Sequence, residues 1–336
     1  MKTRQHPELT CMSGIAILMV LMIHASASCL GSLYPSMTYA EADYVLRVIR
    51  NLVTAAVPMF VFASGCKYAL HDLDTPYRNF LKKRLPRVLM SFFIINTLFW
   101  AIDSIVWMEQ FDAVLLAKTY ISSWLGNTVA YPLWYIPMYC FVIITCPLVG
   151  RIITNEWLRV ALWLVIGMLQ QGLEGAIPWL GEKPIMFLAY PVFFELGVLI
   201  VRKNYDRWFA GHSWLSYIYI GLVACVSAIP AVSSFVLTEY LLYCIVGTFA
   251  YYGLSFGLQH AQFLIWVGNI SYPIFLLHEP IIGRSTGALL RYMRIGDSLA
   301  YVVLWSIIVF MFTVLLIQML RKINVDRILW EFRLHK

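Results

Sequence analysis

The chain has 336 residues, of which 61% are hydrophobic and only 13% are charged, and its net charge is +7. Soluble globular domains carry roughly 25% charged residues, so this composition excludes an ordinary soluble protein. The apolar residues occur in blocks of about 20, the length that crosses ~30 Å of hydrocarbon. The basic residues lie in short segments between these blocks, which argues against a nucleic-acid partner and indicates a polytopic protein embedded in a lipid bilayer.

Ten apolar segments are predicted to span the membrane. They are residues 9–30, 48–70, 86–107, 131–150, 157–172, 185–201, 214–234, 237–257, 263–283 and 299–320. The fifth and sixth are the shortest, and a tight turn after Pro230 separates the seventh from the eighth. The sequence therefore predicts one all-α domain over residues 1–336, a polytopic membrane helix bundle with about ten transmembrane helices.

The distribution of basic residues predicts the orientation of the chain. With the N-terminus in the cytoplasm, 18 Lys and Arg fall on the inner side and 7 on the outer side. Short cytoplasmic loops carry the excess of positive charge, so both termini are predicted to be cytoplasmic. The outer segment 284–298 departs from this rule with Arg284, Arg291 and Arg294. Two explanations for these outer arginines stay open: one of the predicted spans is misplaced, or the arginines bind an anionic extracellular substrate.

The first predicted span carries a histidine in the stretch CMSGIAILMVLMIHAS, residues 11–26. An ionisable group inside a span is costly and commonly functional. At 1.5 Å per residue, His24 lies in the outer half of the membrane, where a neutral imidazole can act as a general base. The alternative is an interhelical hydrogen bond worth about 0.6 kcal/mol, and position alone does not decide between them.

The second span ends in VPMFVFASGCKYAL, residues 57–70, and the third begins in FLKKRLPRVLM, residues 80–90. The Ser64-Gly65 pair permits close approach of another backbone, so Ser64 is a packing residue or a site-lining one. The basic segment is a determinant of topology that touches lipid head groups, or a phosphate site. Guanidinium groups bind phosphate bidentately, and a phosphate site would suit a nucleotide-bearing donor such as coenzyme A. Its candidate donor-binding residues are Lys83, Arg84 and Arg87.

Two later spans carry further ionisable groups. Glu195 is deep in its span and is the better candidate for a buried role among the intramembrane acids. In ISYPIFLLHEPII, residues 270–282, prolines interrupt the helical hydrogen bonds around His278 and Glu279. His278 also falls in the outer half, so it and His24 can line one cavity. The alternative is an interfacial His-Glu pair near water. Cysteine and histidine do not show metal-ligand spacing, so no metal is expected.

Together these segments resemble the acyltransferase-3 family of integral membrane acyltransferases. GIAILMVLMIH is similar to the family's first span, which ends in an essential histidine. VPMFVFASG is similar to its second span, FLKKRLPRV to its basic Arg-x-x-Arg loop, LWYIPMYCFVIITCPLV to its fourth span and SYPIFLLHEPII to its late Leu-His segment. These proteins mostly acetylate hydroxyls of bacterial surface glycans.

The resemblance implies an O-acyltransferase of the bacterial inner membrane. Acetyl-coenzyme A or a similar acyl donor would be a substrate rather than a permanently bound cofactor, and the acceptor would be a surface or lipid-linked glycan. His24 would be the catalytic base or acyl relay. A glycan exporter or transporter of similar span count is an alternative, although it predicts internal repeats, which the sequence does not show.

One position departs from the family. The family places an arginine eleven residues before the first-span histidine, where this chain has Ser13. The two positions share a helix face about 16 Å apart. Because serine supplies no charge, either another cation serves the chemistry or catalysis is impaired, and the second possibility predicts a family member that persists as an assembly partner.

Overall fold

Helices form all the regular structure in the part of the chain that the computed structural model describes. The described residues are 6–39, 41–107, 112–126, 131–176, 182–229, 240–279 and 281–330. The helices of the first half are α1 Pro7–Leu33, α2 Tyr44–Val53, α3 Ala56–His71, α4 Tyr77–Trp107, α5 Ala113–Trp124, α6 Tyr135–Ile152, α7 Glu156–Ala176, α8 Glu182–Met186 and α9 Pro191–Arg202. Those of the second half are α10 Asp206–Gly211, α11 Leu215–Val226, α12 Tyr240–Gly257, α13 Gln262–Asn269, α14 Ser271–Leu277, α15 Ile281–Tyr292, α16 Ser298–Lys322 and α17 Asp326–Leu329.

Seven helical segments among the described residues are long and apolar enough to cross a membrane, which confirms the predicted all-α polytopic bundle. They are Pro7–Leu33, Tyr44–His71, Tyr77–Ile102, Pro132–Ile152, Pro184–Arg202, Tyr240–Gly257 and Ser298–Lys322. The fifth predicted span lies on α7, and the seventh corresponds to the shorter apolar helix α11. The turn predicted after Pro230 lies outside the described residues. The count of ten spans and the cytoplasmic termini stay predictions.

The ninth predicted span, residues 263–283, contains two short helices, α13 and α14, and as a membrane span it stays a prediction. α13 ends at Asn269 and α14 begins at Ser271. Pro273 is the third residue of α14, where a backbone N–H has no intrahelical acceptor, so the proline costs no hydrogen bond there. The chain leaves α14 after Leu277, and His278 therefore lies in the short connection that precedes α15.

Packing divides the chain into two compact units. Unit 1 comprises Met1–Ser64 and Ile200–Val314, and unit 2 comprises Gly65–Leu199 and Leu315–Lys336. In unit 1, α1 packs against α2, α12, α13, α14 and α15. In unit 2, α4 packs against α5, α6 and α17. The single domain over residues 1–336 stays a prediction.

Glycines bring α1 and α13 into close contact in unit 1. A Cβ on Gly14 would overlap the carbonyl oxygen of Leu264, and a Cβ on Gly268 would overlap that of Thr10. Small residues at such positions let two helix backbones approach, which drives association of helices in lipid. These contacts fix α1, and hence His24, against the neighbouring helix of the same unit.

We expect Gly14→Ala to lower the stability of the folded protein by roughly 1–3 kcal/mol, because the added methyl group forces two backbones apart. Gly31→Ala on the same helix is the matched control, since nothing lies within 4 Å of a Cβ there. Alanine is favoured over glycine in a helix by roughly 0.5–1 kcal/mol, so the control should be as stable as wild type or more so. Thermal unfolding in detergent measures both, and equal melting temperatures would contradict the close contact.

The second membrane-spanning segment is interrupted at Thr54, between α2 and α3. The last carbonyls of a helix lack partners within it, and tyrosines of α12 supply those partners here. The Tyr243 hydroxyl donates to the Asn51 carbonyl at 2.8 Å, and the Tyr251 hydroxyl donates to the Leu52 carbonyl at 2.9 Å. The end of α2 is therefore held in a defined position against α12.

Candidate active site

Two histidines that belong to separate sequence motifs are neighbours in unit 1. His24 lies on α1, and His278 follows α14. Their ring centroids are 5.1 Å apart, with the ring planes inclined at 52°. His278 is fully buried. The structure thus brings together the two imidazoles that the sequence placed in the outer half of the membrane, while their catalytic role stays a prediction.

The hydrogen bonds of His278 define its tautomer. Nδ1 lies 3.0 Å from the carbonyl oxygens of both Ile274 and Phe275. A carbonyl oxygen only accepts, so Nδ1 must carry the ring proton and donate it. In the neutral ring Nε2 then holds a lone pair, and it is buried without a hydrogen-bond partner among the described residues. Nε2 is therefore unprotonated and can accept a proton, as a general base must.

Electrostatics limit the charge that the histidine pair can hold. Two imidazolium ions 5.1 Å apart in a buried site would repel strongly. We therefore expect the pair to accept at most one proton at a time, which suits two groups that pass a proton between them.

Glu279 follows His278 and packs where α15 begins. A Cβ on Gly283 would overlap the Glu279 carboxylate oxygen and would also meet the Trp305 ring. The Trp305 indole N–H donates to the Gly283 carbonyl at 3.2 Å. The missing side chain at Gly283 therefore makes room for this carboxylate in unit 1.

The two serines predicted to line the site lie on different helices. Ser13 is 6% exposed, and its hydroxyl donates to the Leu9 carbonyl of its own helix at 2.9 Å. Ser64 lies on α3, and the next residue makes the close backbone approach that the Ser-Gly pair predicts. A Cβ on Gly65 would overlap the carbonyl oxygen of Phe194 on α9.

The basic residues predicted to bind the donor lie on α4 in unit 2, and two of them have an acidic partner within that unit. Arg84 Nη2 lies 2.5 Å from Asp72 Oδ2, and Lys83 Nζ lies 3.1 Å from Asp72 Oδ1. Arg87 Nε donates to the Trp330 carbonyl at 2.7 Å. The sequence analysis did not single out Asp72, because its partners are 11 and 12 residues away across the turn between α3 and α4.

Positive charge remains in excess around Asp72. Two cations, Lys83 and Arg84, face the single carboxylate of Asp72. The Lys83 side chain is 65% exposed and is free to move toward an anion. The cluster of Lys83, Arg84 and Asp72 thus has the net positive charge that binding a phosphate-bearing ligand needs.

Glu195 has a structural partner that the sequence did not reveal. Its carboxylate lies 2.7 Å from Nε of Arg159, and the two side chains are 2% and 6% exposed. Arg159 Nη1 also donates to the Ile153 carbonyl at 2.8 Å. The pair joins α9 to the start of α7 within unit 2. The described residues bring no three metal-ligating side chains together.

A family comparison identifies the chain. The acyltransferase-3 family model, described as an acyltransferase domain, matches residues 6–321, nearly the whole chain. The chain belongs to the acyltransferase-3 family. With its seven long apolar helices, it is a multi-pass membrane acyltransferase. No curated protein and no solved structure matches it.

This acyltransferase has no charge where the family has its first-span arginine. The Ser13 hydroxyl is committed to Leu9 and is buried, so it supplies neither a cation nor a free donor. The second predicted span begins at residue 48, but α2 begins four residues earlier, at Tyr44. Asp43, which caps α2 by accepting from the Leu46 amide, is the signal that places this helix start.

The acyltransferase's buried Asp72 predicts a stability that depends on pH. Burial raises the pKa of this carboxyl, but the hydrogen bonds and charges of Arg84 and Lys83 outweigh burial and hold the pKa below its ordinary value. A lowered pKa stabilises the fold above the unfolded pKa of about 3.9, and that stabilisation is lost as pH falls through the lower native pKa.

We expect Asp72→Asn to reduce stability at neutral pH by about 1.5–3 kcal/mol, the typical value of hydrogen bonds to charged groups. The stability of the variant should also fall less than that of wild type as the pH drops below about 4, because the variant lacks the carboxyl group that becomes protonated. Thermal unfolding in detergent across a pH series measures both effects. Parallel curves for the two proteins, separated by a constant amount, would contradict the lowered pKa.

Proposed function

We propose that the protein is a membrane-bound O-acyltransferase that moves an acyl group, most simply acetyl, from a cytoplasmic donor to a hydroxyl of a cell-surface or lipid-linked glycan. Membership of the acyltransferase-3 family supports the acyl transfer. The apolar helices support a place in a lipid bilayer, which we take to be the bacterial inner membrane. The observation that carries the chemistry is the contact between His24 and the buried His278, with a lone pair on His278 Nε2.

The proposed step is a proton-coupled displacement at the acyl carbon. The acceptor oxygen forms a bond to the acyl carbon while an imidazole of the pair takes the hydroxyl proton, and the carbonyl oxygen becomes an oxyanion. Collapse of that oxyanion breaks the bond to the donor, a C–S bond if the donor is acetyl-coenzyme A, and the imidazolium returns its proton to the leaving thiolate. A positioned base contributes about 10²–10⁴-fold to such a reaction. His24 and His278 are the residues that we assign to it.

The basic cluster of unit 2 supports a phosphate-bearing donor. Lys83 is exposed, and Arg84 adds to the positive charge around Asp72. We propose that Lys83, Arg84 and Arg87 bind the donor's phosphates. Arg84 would then give up or share its ion pair with Asp72. The free energy of donor binding would have to offset that loss.

Mass analysis of the surface glycan tests the proposal. A strain lacking the protein should yield glycan without an ester-linked acyl group, and the wild-type gene should restore it. An exporter would instead change the amount of glycan at the surface and leave its acyl content unaltered. Identical acyl content with and without the protein would contradict the proposed activity.

Whether serine at position 13 leaves the protein active can be tested separately. An impaired family member would leave the wild type inert and would gain activity on Ser13→Arg. Under our proposal the wild type is active. Because Ser13 is buried, the larger side chain should also lower the yield of folded protein, and activity is therefore compared per folded molecule.

A further inference from the structure

The chain reverses direction after α16, and its last described residues lie against α4 within unit 2. Asn324 has a φ of 58°, and its amide donates to the Arg321 carbonyl at 3.1 Å. The Val325 amide donates to the Leu320 carbonyl at 3.0 Å. These two bonds form the Schellman motif, which ends a helix at one residue in the left-handed conformation. The motif directs the chain into α17.

Trp330, the residue after α17, is held by the burial of its ring. It is 3% exposed and follows the buried Leu329, whereas Ile328 is 54% exposed. The indole Nε1 is buried and makes no hydrogen bond among the described residues, so apolar contact keeps the side chain in place. Aromatic side chains contribute large buried areas to such contacts. Burial of the ring therefore also fixes the position of the Trp330 backbone.

The backbone carbonyl of Trp330 binds one nitrogen of Arg87. Arg87 Nε donates to this carbonyl at 2.7 Å. Arg87 is exposed, and its Nη1 and Nη2 atoms make no hydrogen bond to any other residue that the structure describes. A guanidinium presents its N–H donors in a rigid planar fork. With Nε engaged, the two terminal nitrogens can still bind two oxygens of one phosphate.

The two arginines of the basic segment differ in the charge of their partners. Arg84 is paired with the carboxylate of Asp72, which offsets its positive charge. Arg87 forms no ion pair within the described part of the chain, and its carbonyl partner is neutral. The contact with Trp330 therefore orients Arg87 and leaves its charge uncompensated. A side chain that is already oriented loses less conformational freedom on binding, so this contact favours phosphate binding.

We propose that Trp330 is a positioning residue for the acyl donor and that it acts through Arg87. Burial of its ring places its carbonyl on Arg87 Nε, and the contact leaves Nη1 and Nη2 for a phosphate of a coenzyme A-type donor. The inference rests on the proposed function, in which Arg87 binds the donor. It adds the segment that follows the last predicted span to the donor site.

The test compares acetyl-coenzyme A with S-acetylpantetheine, which carries the same kind of thioester but no phosphate. Trp330→Ala should raise KM for acetyl-coenzyme A about tenfold, a change that corresponds to about 1.4 kcal/mol, with kcat per folded molecule retained. It should not change kcat/KM for S-acetylpantetheine, because that donor has no phosphate for Arg87 to bind. Trp330→Phe keeps an apolar ring and should restore KM toward the wild-type value. Ile328→Ala, at an exposed position of α17, is the matched control and should behave as wild type with both donors.

A double-variant cycle shows whether Trp330 acts through Arg87. Arg87→Met should raise KM for acetyl-coenzyme A, and adding Trp330→Ala to it should cause no further rise, since coupled residues give non-additive effects. Rises in KM that multiply would overturn the inference, as would equal losses with both donors, because Trp330 would then only stabilise the fold.

The exposed position of Arg87 supplies a second test that does not disturb the buried ring. Arg87→Lys keeps the charge but has a single terminal nitrogen, which cannot bind the Trp330 carbonyl and also bind a phosphate bidentately. This variant should raise KM for acetyl-coenzyme A and leave kcat/KM for S-acetylpantetheine unchanged. A wild-type KM for Arg87→Lys would overturn the inference even if Trp330→Ala fails to fold. Failure of the wild type to transfer an acyl group from either donor would contradict the proposed function instead.

Discussion

Replacing His278 with glutamine will lower the rate of acyl transfer by about 10²–10⁴-fold, the contribution of a positioned general base. The glutamine amide can still donate to the carbonyls of Ile274 and Phe275, so the local fold should survive. It cannot take a proton, however, because an amide nitrogen has no basic lone pair. His24→Gln should cause a loss in the same range. The initial rate of transfer from acetyl-coenzyme A by purified protein measures both.

His212→Gln is the matched control for this prediction. His212 also lies in unit 1, but its ring stacks on Trp208, and its Nδ1 contacts the Trp208 carbonyl at 2.8 Å. We expect this variant to retain the wild-type rate. A full rate for His278→Gln, or an equal loss for His212→Gln, would mean that the buried imidazole has no special role in the reaction.

Glu195→Gln will destabilise the fold by about 3–5 kcal/mol, the cost of removing one member of a buried ion pair. The variant leaves the guanidinium of Arg159 in a site that is almost fully buried, without the carboxylate that pairs with it. Thermal unfolding in detergent measures the loss. Because the pair lies in unit 2 and joins α7 to α9, we expect kcat per folded molecule to change little.

The double variant Arg159→Met/Glu195→Met distinguishes an ion pair from general sensitivity at these positions. Removing both charges leaves no uncompensated one, and apolar replacements of buried pairs are often neutral or stabilising. We expect it to recover much of the stability that Glu195→Gln loses. A double variant less stable than the single one would show that the two charges do not act as a pair.

The helical architecture follows from the sequence because apolar blocks of membrane length have few structural solutions. The depth of His24 and of His278 along their segments allowed a shared cavity as one of two interpretations, and the structure places the two rings 5.1 Å apart. The broken ninth span was less visible. Pro273 indicates an interruption, but a proline is also tolerated in the first turn of a new helix, and only the structure shows that α14 begins at Ser271.

The charge pairings were not predictable from one sequence. Arg159 and Glu195 are 36 residues apart, and nothing in either segment indicates which helix faces meet. Asp72 reads as a loop residue, although its carboxylate is buried against Arg84. The second predicted span begins at residue 48, whereas α2 begins at Tyr44, because Arg47 lowers the hydropathy of the first turn of α2. A charge near the end of a span thus conceals part of the helix that carries it.

A double-variant cycle on the histidine pair tests most directly whether His24 and His278 form one acyl-transfer centre. Residues that act as a unit give non-additive losses. We therefore expect His24→Gln/His278→Gln to be no slower than the slower single variant, with rates compared per folded molecule. Losses that multiply would contradict the account, as would a wild-type rate in either single variant, because the 5.1 Å contact would then be packing without catalytic consequence.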